Sequence, residues 1–430
     1  MAVCLRLSSI TVEKRKKILN ELTIYPKETE YEKKNPVYLF DVDRDSDIFY
    51  CPFSYYTQFL SNDDDIVKIK HKKIKCKEII FEGKLTDYQK EIKDETFNIM
   101  NNFKSVLLSA YCGFGKTCYS IWFSSLQCFK VEVWILGHRI NILEQWEHSI
   151  KKFCPNATYQ IVKSKTKINK GCNFYIMNIS NVPKRERKDY NNCGILIIDE
   201  AHTVCTQIYS QSLLYFCPLY VISLTATPTR TDGMDKILEY ISGPYMIKKR
   251  MTRPFNVYVI DYKSRIRPRQ NVVGSLDWGN ILEQQCNDNN RNELIINIIE
   301  KFFYRNILVL CKRVSQSKYF YQVLKEKGED VELYVASQKI FDYSCRILIS
   351  TFSKVGVGFD HGKLDMLIMA SDIQEGCEQY LGRVLYRSSI TPIVIDFRES
   401  FRPFHKHMEY RFEIYKYNGG QILDFNNIFF

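Results

Sequence analysis

The chain has 430 residues, with 61 Lys plus Arg against 49 Asp plus Glu and a formal charge of +12. That length suits two or three domains with room for full hydrophobic cores, and the basic balance favours a polyanionic partner. No apolar run approaches the roughly 20 residues of a bilayer span, no signal-peptide core precedes the charged stretch Val12–Lys17, and the fifteen cysteines include no C-x-x-C pair. These features argue against a membrane span, a secretory leader and a zinc ribbon or finger, and a soluble intracellular chain with reduced, buried thiols is expected.

In chain order, residues 1–80 are rich in aromatic and charged side chains, including Tyr50-Cys51-Pro52-Phe53-Ser54-Tyr55-Tyr56 and the acidic run Asp63-Asp64-Asp65. The near-alternation over Lys68–Lys77 predicts a strand or hairpin with one basic face. Such a face serves either to touch a nucleic-acid backbone or to guard a sheet edge against aggregation. Residues 1–80 read as a small N-terminal accessory region.

Residues 81–250 alternate apolar runs with amphipathic stretches, the pattern of a doubly wound α/β domain. Strands are predicted at Val106–Ala110, Val131–Leu136, Phe174–Met177, Ile195–Ile198 and Tyr220–Leu224. The first runs into Gly113, Gly115, Lys116 and Thr117, and the fourth into Asp199-Glu200-Ala201-His202. A nucleoside triphosphate needs that chemistry. Gly113 and Gly115 let backbone N–H groups approach the phosphates, and the following helix adds its positive end. Lys116 reaches the β- and γ-phosphates, and the Thr117 hydroxyl ligates Mg²⁺. Asp199 holds the same ion, and Glu200 orients or deprotonates the attacking water. Ala110 stands where the strict phosphate-loop pattern has its first glycine. Function in such sheets collects at the carboxyl ends of strands, where these segments fall. Arg139, just past the second strand, suits either a nucleic-acid phosphate or a local ion pair. Trp146 falls in an apolar helical pattern with Ile142, Leu143 and Ile150 and is expected in the core.

Residues 251–285 have weaker periodicity and read as an inter-lobe connection. Residues 286–430 repeat the α/β pattern: a helix near Arg291–Tyr304, then strands at Ile307–Cys311, Arg346–Ser350, Met366–Met369 and Ile393–Asp396. The aromatic-rich stretch Phe401–Phe430 is expected to include a helix docked on this second lobe.

Several segments together resemble the ordered motifs of superfamily 2 helicases and translocases. Ala110 through Thr117 is similar to motif I and Asp199-Glu200-Ala201-His202 to motif II of the DEAH type. Leu224-Thr225-Ala226-Thr227-Pro228 is similar to motif III, and Leu85-Thr86-Asp87-Tyr88-Gln89 to the upstream adenine-reading motif. Leu143-Glu144-Gln145-Trp146 resembles motif Ia, Ile349-Ser350-Thr351-Phe352 through Gly358-Phe359-Asp360 motif V, and Gln379-Tyr380-Leu381-Gly382-Arg383 motif VI. The resemblance covers roughly residues 80–400. Motif III continues to Arg230, Asp232 and Gly233, as in the group that contains excision-repair-type DNA helicases, phage branch-migration helicases and the poxvirus transcript-release helicase.

The resemblance implies two tandem RecA-like doubly wound lobes using ATP and Mg²⁺. It implies nucleotide contacts from Gln89, Gly358, Asp360 and Gln379, coupling through His202, Thr225 and Thr227, and nucleic-acid contacts from Arg139 and Thr351. Arg383 or Arg387 is expected to act as arginine finger. The family usually has a second arginine three residues after the first; here Tyr386 stands there and Arg387 comes next. ATP is expected between the lobes. The implied protein is a monomeric DNA translocase of 3′ to 5′ polarity from a large DNA virus, on single strands or duplex junctions, with a task in transcript release beside a transcription complex. Such a protein is expected in host cytoplasm or nucleus, or packaged in the virion. The alternatives are a repair or recombination translocase, a helicase acting on RNA or a DNA–RNA hybrid, and a nucleic-acid-binding scaffold that does not hydrolyse ATP.

Overall fold

The computed structural model describes residues 1–26, 35–111, 113–226, 234–250, 253–271, 274–336, 338, 340–355, 359, 361–374, 376–385 and 390–425. The chain divides into two compact units, one formed by residues 1–110 and 114–249, the other by 111–113 and 250–430.

The first unit opens with β1 (Ala2–Arg6), β2 (Thr23–Ile24), β3 (Val37–Tyr38), β4 (Asp41–Asp43) and β5 (Ile48–Pro52). β1, β5 and β4 make a small antiparallel sheet, and β2 pairs with β3. This N-terminal part shares its core with the rest of the unit: Leu5, Phe49 and Tyr55 are buried in one cluster with Leu136, Leu196 and Ile241.

The Lys68–Lys77 segment departs from expectation. It forms no strand or hairpin but an extended strap, bridged once at Lys68 to Leu5 and once at Lys75 to Val131. Lys73 turns inward instead of lining a basic face, and its Nζ donates to the Asn191 and Cys217 carbonyls, both at 2.7 Å. Both carbonyls belong to segments outside the strap, so the ammonium is held by the rest of the unit.

The main sheet of the unit comprises β6 (Ser105–Ala110), β7 (Glu132–Gly137), β8 (Tyr159–Val162), β9 (Phe174–Asn178), β10 (Cys193–Ile198), β11 (Tyr220–Thr225) and β12 (Met246–Lys249). Their order is β12-β6-β11-β10-β7-β9-β8, and every pair is parallel. A parallel sheet is covered on both faces, so its strands read as continuous apolar runs. β6, β7 and β10 are buried at every position. Trp134 and Tyr175 on adjacent strands stack with ring centroids 4.5 Å apart.

The second unit has a parallel sheet of its own: β13 (Phe255–Tyr262), β14 (Ile307–Cys311), β15 (Val331–Tyr334), β16 (Ile347–Thr351), β17 (Met366–Met369), β18 (Ile393–Glu399) and β19 (Gly420–Asp424). The order is β15-β16-β14-β17-β18-β13-β19. Within the stretch 251–285, Phe255–Tyr262 is therefore a sheet strand, paired with β18 and β19. Its exposure alternates where β14, β16 and β17 are buried throughout, which weakens its apolar signature.

The helix Arg402–Tyr417 packs on β18 through a buried polar network. Arg411 bonds both Asp396 carboxylate oxygens at 2.8 and 2.9 Å and Asp372 Oδ1 at 2.9 Å. The Tyr415 hydroxyl donates to Asp396 at 2.8 Å, and His407 Nδ1 lies 2.6 Å from Asp372 Oδ2. Two seven-stranded parallel sheets with flanking helices are tandem RecA-like lobes, the first with a small N-terminal accessory part. Among the described residues no helix is long and apolar enough to cross a membrane.

Candidate active site

β6 ends at Ala110, and the helix Lys116–Ser124 starts after the short glycine loop. Gly113 and Gly115 adopt φ of 93° and 83°, a region that favours glycine. A Cβ on Gly115 would lie 2.5 Å from Gln89 Nε2. Gln89 is buried and fully engaged. Its Oε1 accepts the Thr86 N–H at 2.9 Å, while Nε2 donates to the Phe114 and Gly115 carbonyls at 3.0 and 3.1 Å. Its carboxamide thus closes a capping box and ties the start of the helix Asp87–Glu91 to the glycine loop. Lys116 Nζ donates to the Ala110 carbonyl at 2.7 Å, so the ammonium folds over the loop. Thr117 is half-buried one residue further into the helix.

β10 delivers Asp199 and Glu200. Asp199 N–H continues the sheet by donating to Leu136 O at 2.9 Å. One carboxylate oxygen, Oδ2, accepts the Trp146 indole N–H at 2.7 Å, and Oδ1 accepts the Glu200 N–H at 2.9 Å. Burial, then the adjacent Glu200 charge, raises the Asp199 carboxyl to about 6, against the Trp146 bond and the Lys116 charge. Glu200 sits at φ 50°, uncommon for a residue with a side chain. Thr203 braces that turn, since its N–H and its hydroxyl both donate to the Glu200 carbonyl at 2.8 Å. Glu200 Oε2 is buried and accepts no hydrogen bond from the described residues, and His202 Nδ1 is 3.4 Å away. A buried acceptor of this kind beside a second carboxylate fits water and a divalent cation.

His202 Nδ1 also lies 2.9 Å from Thr225 Oγ1, joining the turn after β10 to the end of β11. On the other side the Thr203 hydroxyl is 3.0 Å from His138 Nδ1. Burial, then the charges of Arg139 and His202, pushes the His138 imidazole down to about 4. Arg139 is exposed at the start of the helix Ile140–Phe153, and its Nε is 3.0 Å from His138 Nε2.

Lys116, Thr117, Asp199, Glu200, His202, Thr225, Gln89 and Arg139 all belong to the first unit. Thr351, Gln379 and Arg383 belong to the second. Thr351 ends β16 with its hydroxyl 3.3 Å from Ser353 Oγ, and Gln379 lies in the first turn of the helix Cys377–Val384. Arg383, later in that helix, donates to the Phe359 carbonyl. Thr227, Gly358, Asp360 and Arg387 lie outside the described residues.

Sequence reasoning missed three contributors. Trp146 is buried, as expected, but its N–H is committed to Asp199. His138 and Thr203 form a brace behind Glu200. A Trp in an apolar helical stripe signals only core; the one clue was that its indole N–H needs an acceptor when buried.

A glycine loop closing on a lysine, beside two acids at the carboxyl end of a parallel strand, defines a RecA-like nucleoside-triphosphate lobe. Residues 82–230 match the family model described as "Type III restriction enzyme, res subunit". The chain is 32% identical over 373 residues to "Putative helicase 161L" of Invertebrate iridescent virus 6, covering 80% of this chain and 84% of that protein. It is 24% identical over 390 residues to "Putative ATP-dependent RNA helicase L396" of Acanthamoeba polyphaga mimivirus, covering 85% and 74%. It is 23% identical over 382 residues to "Putative ATP-dependent RNA helicase QP509L" of African swine fever virus, covering 78% and 73%. The chain belongs to the superfamily 2 helicase family that these proteins of large DNA viruses represent.

Proposed function

We propose that the protein is an ATP-driven translocase that moves along DNA, 3′ to 5′, and displaces what is bound there, a nascent transcript included. The observation that carries this reading is the 2.9 Å contact between His202 and Thr225, which links the turn holding Asp199 and Glu200 to the next strand end. Such a contact gives a change at the nucleotide a physical route to another surface.

In this reading Lys116 and the loop N–H groups hold the ATP phosphates. Thr117 and Asp199 hold Mg²⁺, which when bound supplies positive charge to the phosphate oxygens. Glu200 takes the proton of the attacking water, its buried Oε2 being the acceptor. Arg383 supplies positive charge to the γ-phosphate, with Arg387 as the alternative donor. Arg139 and Thr351 contact the nucleic-acid backbone, and such contacts make binding sequence-tolerant and salt-sensitive.

The motif III residues through Gly233 support DNA as the track. The names of two relatives, which call them RNA helicases, support a second reading in which the track is RNA. The deciding experiment measures ATP turnover without nucleic acid, with single-stranded DNA and with RNA, beside Lys116→Ala. Stimulation by DNA that the substitution abolishes supports the first reading, and stronger stimulation by RNA replaces it with the second. Turnover insensitive to Lys116 under every condition overturns both.

A further inference from the structure

Cys4, His71 and Cys217 are far apart in sequence, yet their ligating atoms all lie within 4.8 Å of one another. Cys4 Sγ is 3.0 Å from Cys217 Sγ, and His71 Nε2 is 3.5 Å from Cys4 Sγ. Among the described residues no other group of three or more His, Cys, Asp and Glu side chains converges this way. We propose that these three residues form a structural site for a zinc-type divalent ion that clasps the N-terminal sheet and the lysine strap to the segment leading into β11 of the main sheet.

The backbone fixes the three donors without help from an ion. Cys4 is in β1, whose Ala2 N–H donates to Phe216 O at 2.6 Å, next to Cys217. The strap is fastened alongside: Ile69 N–H donates to Cys4 O and Arg6 N–H to Val67 O, both at 2.8 Å. Lys73, two residues past His71, holds the Cys217 carbonyl at 2.7 Å. Three elements that meet at one point thus each contribute one donor.

The donor chemistry selects the ion. Two thiolates and an imidazole suit a borderline-soft, tetrahedral cation, and calcium or magnesium would demand oxygens. With Zn–S near 2.3 Å, tetrahedral geometry sets the sulfurs about 3.8 Å apart, so the pair opens by less than ~1 Å on binding. His71 and Cys217 are only half-buried, which leaves the fourth position to water. The site is structural by its place in the sheet. Cys217 precedes the amino end of β11, whereas Thr225 closes the carboxyl end, where the nucleotide residues gather. The length of that strand separates the two ends, roughly 20 Å.

The test uses the full chain purified without an affinity tag that binds metal. Elemental analysis should find about one zinc per chain. After chelation, cobalt(II) should restore a tetrahedral spectrum with a thiolate charge-transfer band in the wild type. Cys217→Ser and His71→Ala should weaken metal binding by more than about 100-fold, beyond the 10–100-fold typical of losing a supporting contact. Cys128→Ser, at an exposed cysteine outside the cluster, should leave it unchanged. The cobalt spectrum of the wild type decides the matter even if the variants fail to fold. A zinc-free protein whose cobalt spectrum lacks the thiolate band overturns the proposal. So does an intact mass two hydrogens lower, which would reveal a Cys4–Cys217 disulfide.

Discussion

The indole N–H of Trp146 donates to Asp199 Oδ2 at 2.7 Å, across 53 residues of sequence. The bond ties the helix Ile140–Phe153 to the acid placed at the end of β10. It leaves the carboxylate one fixed orientation and opposes the rise in its proton affinity that burial causes. Trp146→Phe keeps an aromatic ring and removes this donor. A hydrogen bond to a charged group contributes about 1.5–3 kcal/mol, and the substitution should lower stability by that order. It should also raise the Mg²⁺ concentration needed for half-maximal ATP turnover. Denaturant titration and a Mg²⁺ series check the two halves separately, and an unchanged Mg²⁺ dependence would remove the positioning role.

Glu200→Gln keeps the side-chain size and removes the proton acceptor. ATP hydrolysis should fall by roughly 10²–10⁴, the usual contribution of a positioned general base. Binding of a fluorescent ATP analogue should persist. Equal, slow hydrolysis by wild type and variant would favour the non-hydrolysing scaffold.

Thr225→Val preserves shape at a fully buried position and deletes the hydroxyl that meets His202. ATP hydrolysis should continue, while displacement of a hybridised strand falls by an amount in the roughly 5–150-fold range of ordinary coupling energies. Measuring both rates on one preparation separates coupling from catalysis. If the two fall in parallel, the contact serves the nucleotide site alone.

His138 is held neutral, with its proton affinity lowered to about 4 by burial and by Arg139 and His202. The unfolded chain takes up that proton near pH 6.5. Native stability from this group is therefore complete above about pH 6.5 and is lost as pH falls toward 4. Thermal unfolding followed from pH 7 to 4 should show the decline, and His138→Gln should flatten it. A slope unaffected by the substitution would assign the decline to other groups.

In the second unit, Arg411 is buried between Asp396 and Asp372. Arg411→Met leaves both carboxylates without their cation. Removing one partner of a buried ion pair costs about 3–5 kcal/mol. Calorimetry should show a lower transition for the second unit, and Asp396→Asn should show a loss of the same kind. A shift within error would mean that the network is replaceable by packing.

The sequence by itself determined the strands that carry the glycine loop and the acidic pair. A parallel sheet buries both faces, so β6, β10 and β11 are built around apolar residues, and their chemistry had to come at the carboxyl ends. The repeat of that pattern after residue 286 made β14, β16, β17 and β18 legible as well, but not β13, β15 and β19, which are only partly buried. Only the tertiary structure decided which distant groups meet. Trp146 on Asp199, Gln89 under the glycine loop, Lys73 on Cys217, and Cys4 with His71 all depend on how elements pack. Hydrophobic periodicity reports which face of an element turns inward and nothing about what it meets there. The strap makes the difference plain: its lysines gave it the pattern of a basic strand, and the carbonyls of Asn191 and Cys217, fixed by the rest of the fold, turned Lys73 inward.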